Sequence, residues 1–247
     1  MRIGIVGATG RVGTQLVEAV LAAPGLELAA CIVRPGSRHV GTPVAGGSLE
    51  YRPANTAIKS HCDVVIDFSK PAASLKLQEL HGDKPIPMVI GTTGFTADQD
   101  ARLSSHARHR PMLVSANFAL GFEAFAAAAE AFAGALPGAE PLVTETYHIR
   151  KKAEPSGASQ RLADAIHARR RQAAGFDVGE TPIAVRREGD VVGITDLRFD
   201  LGPAEARFVY RVHTLAAYAE GALAAARWLV EKAPGPGRYT LADALAA

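Results

Sequence analysis

The chain has 247 residues, with 27 Lys+Arg against 25 Asp+Glu for a formal net charge of +2, and 48% of its residues are apolar. That apolar content supplies a substantial core and excludes global disorder. The near-balanced charge argues against a dedicated nucleic-acid binder, which carries a basic excess, and the length suits one large α/β domain or two modest ones.

Residues 2–6 form a short β-branched run, and residues 7–13 a glycine-rich turn. Residues 14–23 have helical spacing, with Leu16, Val17, Val20 and Leu21 on one face. A second strand is predicted at 26–33, ended by Pro35-Gly36, and a third at 63–68. Then come a helix at 71–82, a strand at 87–90, a helix at 96–108 and a strand at 112–115. This alternation predicts parallel βαβ units, and the continuously apolar strands predict helices over both faces.

The second half changes character. A long helix is predicted at 118–136, a strand at 141–147 and a charged helix at 159–171. Strand-like runs follow at 181–187, 190–199 and 204–214, with turn residues Glu188-Gly189 and Gly202-Pro203 between them. These predict an antiparallel or mixed sheet in an α+β unit. A helix at 216–231 and a Pro/Gly-rich tail with a short helical run close the chain. The expected fold class is α/β, a Rossmann-type dinucleotide-binding domain with an inserted α+β domain. Its expected boundaries are 1–116 plus 217–247 for the first and 117–216 for the second. The apolar stretch at 118–136 carries Glu123 and Glu130 and many alanines, so it reads as a packed helix and not a membrane span. No secretory signal is visible. Cys31 and Cys62 sit in separate apolar runs without metal-ligand spacing. They read as reduced thiols of a cytoplasmic protein, with no metal expected.

Three clusters carry chemistry. The first is Gly7-Ala8-Thr9-Gly10-Arg11-Val12-Gly13, between a strand and a helix. Glycines there let the backbone turn tightly and approach a pyrophosphate at the helix N-terminus. At the end of the second strand, where an acid would accept from an NAD ribose, the residues are Val33-Arg34-Pro35-Gly36-Ser37-Arg38. Arg34, Arg38 and Arg11 suit a 2′-phosphate, so NADPH is the expected cofactor over NADH. The second cluster is Gly91-Thr92-Thr93-Gly94, with Ser115-Ala116-Asn117-Phe118 at the next strand end. Ligands of open parallel sheets bind beyond such ends. The third cluster runs over 145–157 and concentrates titratable groups before a Pro155-Ser156-Gly157 turn that opens a helix. His148 and Lys151 can donate protons or bind an anion, and the Ser156-Gly157 helix start can take a carboxylate.

Taken together, GATGRVG at 7–13, VVIDFSKP at 64–71, GTTGF at 91–95, SANFALG at 115–121, the stretch 145–157 and GDVVG at 189–193 resemble the 4-hydroxy-tetrahydrodipicolinate (dihydrodipicolinate) reductase family. The resemblance covers nearly the whole chain. It implies NAD(P)H-dependent reduction of the C=N (or conjugated C=C) of a small carboxylated cyclic imine in the diaminopimelate–lysine pathway. It implies a homotetramer, and a second domain for substrate binding and oligomerisation. It adds Phe68, Ala116, Asn117 and Phe118 to the cofactor set. The family pattern E-x-H-H-x-x-K-x-D-A-P-S-G-T-A is matched at Glu145, His148, Lys151, Pro155, Ser156 and Gly157. Its first His, usually assigned the general-acid role, is Tyr147 here, so the catalytic set becomes His148, Lys151 and Tyr147. Its Thr is Ala158, its Asp-Ala is Ala153-Glu154, and an arginine for the substrate carboxylate is Leu215. Losing two charge-assisted bonds weakens binding by roughly 10²–10⁴-fold. The alternatives are therefore a divergent member reducing a different imine in specialised metabolism, or a non-catalytic NADP-binding regulatory protein.

Overall fold

The computed structural model describes residues 1–55, 62–82 and 85–245. They fall into two compact units, Met1–Ala119 with Leu215–Ala247, and Leu120–Thr214.

The first unit is built on a parallel sheet of seven strands, numbered here in chain order. From one edge they run Gly237–Tyr239 (β11), Pro111–Val114 (β6), Met88–Ile90 (β5), Val64–Asp67 (β4), Arg2–Val6 (β1), Glu27–Val33 (β2) and Tyr51–Pro53 (β3). The central strands β4 and β5 are buried along their whole length, as the unbroken apolar runs predict. Arg11–Ala22 (α1) and Ala216–Lys232 (α6) cover one face, through Leu16, Val17, Val20, Ala222, Ala226 and Leu229. Pro71–His81 (α2) and Ala97–His106 (α3) cover the other, through Leu75, Leu77 and Leu103. Thr96 starts α3 with a reciprocal capping box to Gln99. The strand order reverses between β1 and β4, so both carboxyl ends open onto the crevice where doubly wound sheets take ligands. The two edge strands β3 and β11 are not legible in sequence. Each has three residues, and each is held by pairing, β3 along Cys31–Val33 and β11 along Pro111–Leu113.

The second unit is a four-stranded mixed sheet in the order Glu205–Val212 (β10), Gly193–Asp200 (β9), Glu140–Tyr147 (β7), Ile183–Arg187 (β8). The pair β7/β8 is parallel and the other two pairs are antiparallel. Phe122–Ala135 (α4) and Gly157–Ala174 (α5) lie on one face. Ala126, Ala129 and Ala133 present a small-residue face from α4, and Leu162, Ala163 and Ile166 face the core from α5. Val143, Leu197 and Phe199 meet them from the sheet. The helix α4 begins four residues later than the apolar pattern predicts. The Asn117 carboxamide oxygen accepts from the Ala119 N–H at 2.9 Å, which holds a local turn in place of a helical one.

Candidate active site

The residues expected to bind a cofactor gather at the carboxyl ends of β1, β2, β4, β5 and β6 in the first unit. Residues 7–13 form the turn from β1 into α1. The N–H groups of Gly7 and Ala8 donate to the Ile32 carbonyl at 2.8 and 3.1 Å, which ties the turn to the end of β2 just before Arg34. Gly7 has φ +79°, and a Cβ there would lie 2.5 Å from the Phe68 carbonyl oxygen. A Cβ on Gly13 would lie 2.0 Å from the Gly7 carbonyl oxygen. Neither position admits a side chain. No side chain caps the start of α1, so backbone N–H groups and the positive helix end meet an incoming group directly. That surface fits a pyrophosphate. Arg11, the first residue of α1, and Arg34, the residue after β2, are exposed, as is Arg38.

Phe68 follows β4, stacks edge-on against Phe118 at 5.4 Å between ring centroids, and leaves no room for a Cβ on Gly91. Thr92 is buried, while Thr93 and Ala116 are exposed. Asn117 is buried and takes the Ser115 hydroxyl on its carbonyl oxygen at 2.7 Å. One residue here escaped sequence reasoning. Asp67, buried at the end of β4, accepts from the Ser69 N–H at 2.9 Å and the Thr92 hydroxyl at 3.1 Å. Its carboxyl thereby joins the loop after β4 to the loop after β5. Burial pushes its pKa up, against the hydrogen bonds to Ser69 and Thr92, which pull it down.

The residues expected to bind and protonate the substrate gather in the second unit, where β7 runs into residues 148–156. Glu145 and Tyr147 point toward α5, by the two-residue strand period. Glu145 is buried, and its carboxylate accepts from the Ser156 N–H at 2.8 Å, the Ser159 hydroxyl at 2.7 Å and the Arg187 guanidinium at 3.0 Å. Burial alone would raise its pKa, but the bonds from Ser159, Ser156 and Arg187 outweigh burial and lower it. Ser156 caps α5 by accepting from the Ser159 N–H, and Gly157 is the exposed first residue of that helix. The Lys151 ammonium lies 3.3 Å from the centroid of the Tyr147 ring. The Tyr147 phenol is pushed above its ordinary value, chiefly by burial. His148 is buried, and its carbonyl accepts from the Lys151 N–H at 3.1 Å. Five of the residues singled out from sequence, Tyr147, His148, Lys151, Ser156 and Gly157, thus share one loop and one helix start. Arg187, on β8, was missed because it follows Glu145 by 42 residues. The register pairs it with Tyr147. Leu215 belongs to the first unit, where it precedes α6 and makes no side-chain cap.

Comparison with known proteins places both units. Residues 1–118 match the family profile "Dihydrodipicolinate reductase, N-terminus", and residues 121–245 match "Dihydrodipicolinate reductase, C-terminus". The 4-hydroxy-tetrahydrodipicolinate reductase of Anaeromyxobacter dehalogenans is 33% identical across 99% of this chain and 97% of its own. The enzyme of that name from Archaeoglobus fulgidus is 30% identical across 99% of this chain and all of its own. Among solved structures, dipicolinate-bound dihydrodipicolinate reductase from Paenisporosarcina sp. TG-14 superposes with a TM-score of 0.72 at 19% identity, covering 97% of both chains. An amine dehydrogenase from Mycobacterium smegmatis shares the fold at a TM-score of 0.64 and 12% identity.

Proposed function

The chain belongs to the dihydrodipicolinate reductase family and is an NAD(P)H-dependent oxidoreductase, and from that membership we propose that its substrate is 4-hydroxy-tetrahydrodipicolinate, the small cyclic dicarboxylate of its relatives' names. The observation that carries the reading is the joint placement of Lys151 and the Ser156-Gly157 helix start on one loop braced by Glu145. A lysine and a helix N-terminus on one short loop supply two positive groups for a carboxylate.

In this reading residues 7–13 of the first unit would hold the dinucleotide, together with Phe68, Gly91, Thr92, Thr93 and residues 116–118. When bound, the reduced nicotinamide would supply a hydride to the electrophilic carbon of the C=N (or conjugated C=C) bond. In the second unit Lys151 and the Ser156-Gly157 helix start hold a substrate carboxylate, with the Gly157 N–H as backbone donor because the Ser156 N–H is taken by Glu145. His148 and Lys151 are the proton donors for the nitrogen side. The Tyr147 phenol, held above its ordinary pKa, keeps its proton at neutral pH, and its ring underlies the Lys151 ammonium. The exposed arginines Arg11 and Arg34, and the absence of an acid at 33–38, support a preference for NADPH over NADH. Cytoplasmic function as a homo-oligomer, a tetramer on the family resemblance, completes the proposal. No helix among the described residues is long and apolar enough to cross a membrane.

The test is NADPH oxidation by the purified chain with 4-hydroxy-tetrahydrodipicolinate beside simpler cyclic imines lacking one or both carboxylates. Rapid turnover of the dicarboxylate, abolished to within about a hundredth of wild type in Lys151→Ala, is the expected result. Turnover of a monocarboxylate alone would redirect the reading to a different imine. Titration of NADPH and NADH in parallel checks the cofactor preference, and light scattering checks the oligomer.

A further inference from the structure

Residues 148–156 have no regular secondary structure, yet they carry Lys151 and lead to the Ser156-Gly157 helix start. Such a segment holds one geometry only if its carbonyls find donors. Four of the bonds that do this converge on one side chain. Arg187 Nε donates to the carbonyl of Lys152 at 2.9 Å and, more weakly, to that of Lys151 at 3.3 Å. Its Nη2 donates to the carbonyl of Glu154 at 2.9 Å and also to that of Lys152. The same Nη2 meets the Glu145 carboxylate at 3.0 Å. The other oxygen of that carboxylate fixes Ser156 and Ser159. One guanidinium and one carboxylate therefore hold both ends of the loop, 151–154 and 156–159. Only arginine has the planar array of donors for this. A lysine offers a single ammonium, which cannot reach three carbonyls and a carboxylate at once.

We propose that Arg187 and Glu145 are positioning residues for substrate binding, a clamp in which Glu145 takes the Ser156 N–H and which thereby sets Lys151 and the Gly157 N–H in register for one substrate carboxylate. The proposal rests on the function proposed above. Neither residue touches the substrate; each acts through the loop that does. The clamp charges compensate each other, the Glu145 side chain being fully buried and the Arg187 side chain 14% exposed. Removing either one wholly would strand a buried charge. The informative variants are therefore conservative.

The experiment measures KM and kcat for 4-hydroxy-tetrahydrodipicolinate, the dissociation constant of dipicolinate, that of NADPH, and the melting temperature, in wild type, Arg187→Lys and Glu145→Gln. Arg187→Lys keeps the charge facing Glu145 but loses the carbonyl bonds. Glu145→Gln keeps an oxygen for Ser156 and Ser159 but loses the charge facing Arg187. Both are expected to raise KM and the dipicolinate constant by about tenfold or more, the loss of one or two charge-assisted bonds' worth of alignment. NADPH affinity should stay within about twofold and kcat should fall by a smaller factor than KM rises. Wild-type KM and dipicolinate affinity in either folded variant, with only a lowered melting temperature, would make the pair a structural ion pair and overturn the clamp alone. Wild-type protein that neither binds dipicolinate nor turns over the imine would overturn the functional reading and the clamp with it.

Discussion

In the proposed function the loop at 7–13 and the loop at 148–156 do comparable work, each presenting donors to an anion, but they are held in shape by opposite means. The first is made of backbone. Its shape follows from a left-handed Gly7, from a Gly13 with no space for a methyl group and from N–H groups bonded to the neighbouring strand. The second is made of side chains. Its shape follows from a buried carboxylate and a guanidinium that collect its N–H and carbonyl groups. A backbone-built site fails all at once when one atom is added. A side-chain-built site can in principle exchange parts one at a time, which makes Tyr147, the residue expected from the resemblance to stand in for a histidine, the position to probe.

The largest expected effect breaks the first loop. Gly13→Ala puts a methyl group 2.0 Å from the Gly7 carbonyl oxygen, and every atom it meets is main chain. The turn must open, and dinucleotide affinity is expected to fall by about 100-fold or more, measured by fluorescence titration of NADPH. A variant that binds NADPH normally would mean that this turn is not the cofactor cradle.

The same contrast decides what could be read from sequence. Glycines at 7, 10 and 13 after a β-branched run announce a backbone-built loop, because the residue type and the geometry are one fact. The loop at 148–156, the proposed substrate loop, was half legible. Lys151, Ser156 and Gly157 stand in a short window, but the arginine that braces them lies on β8, and only the parallel β7/β8 register brings it to Tyr147. Asp67 was hidden differently. It ends an unbroken apolar run, VVIDF, which marks a strand buried on both faces and gives no hint that the carboxyl faces Thr92. Strands β3 and β11 were unreadable because three residues carry no period, and pairing alone makes them strands.

A smaller effect separates the two units by pH. Glu145 has its pKa lowered in the fold, so its contribution to stability is complete above the ordinary glutamate value of about 4.3 and is lost as pH falls through the lower folded value. Asp67 has its pKa raised, so the fold favours its protonated form. Its penalty grows as pH rises from the ordinary value of about 3.9 through the higher folded one. Acid therefore loosens the clamp while relieving the nucleotide unit. Melting curves should show Glu145→Gln costing a few degrees at pH 7 and progressively less toward pH 3. Asp67→Asn, which keeps an oxygen for Ser69 and Thr92, should gain a few degrees at pH 7 and nothing below about pH 4. Equal effects of each variant at both pH values would show that neither carboxyl is coupled to folding.

The smallest expected effect is the sharpest test of how a side-chain-built site tolerates exchange. Tyr147 offers two things, a hydroxyl and a ring. Burial holds the hydroxyl above its ordinary pKa, which makes it a poor acid near neutrality. The ring carries the Lys151 ammonium at 3.3 Å from its centroid, a contact worth about 0.5–2 kcal/mol. Tyr147→Phe keeps the ring, so kcat/KM should change by less than about threefold with the pH profile unmoved. Tyr147→Leu removes it, and the loss should reach about 2–30-fold, the factor that the ammonium contact is worth. A hundredfold loss in Tyr147→Phe, with one limb of the pH profile gone, would instead make the phenol the proton donor. If the ring alone matters, the proton donor of the proposed reaction is Lys151 or His148, on the loop that Glu145 and Arg187 brace.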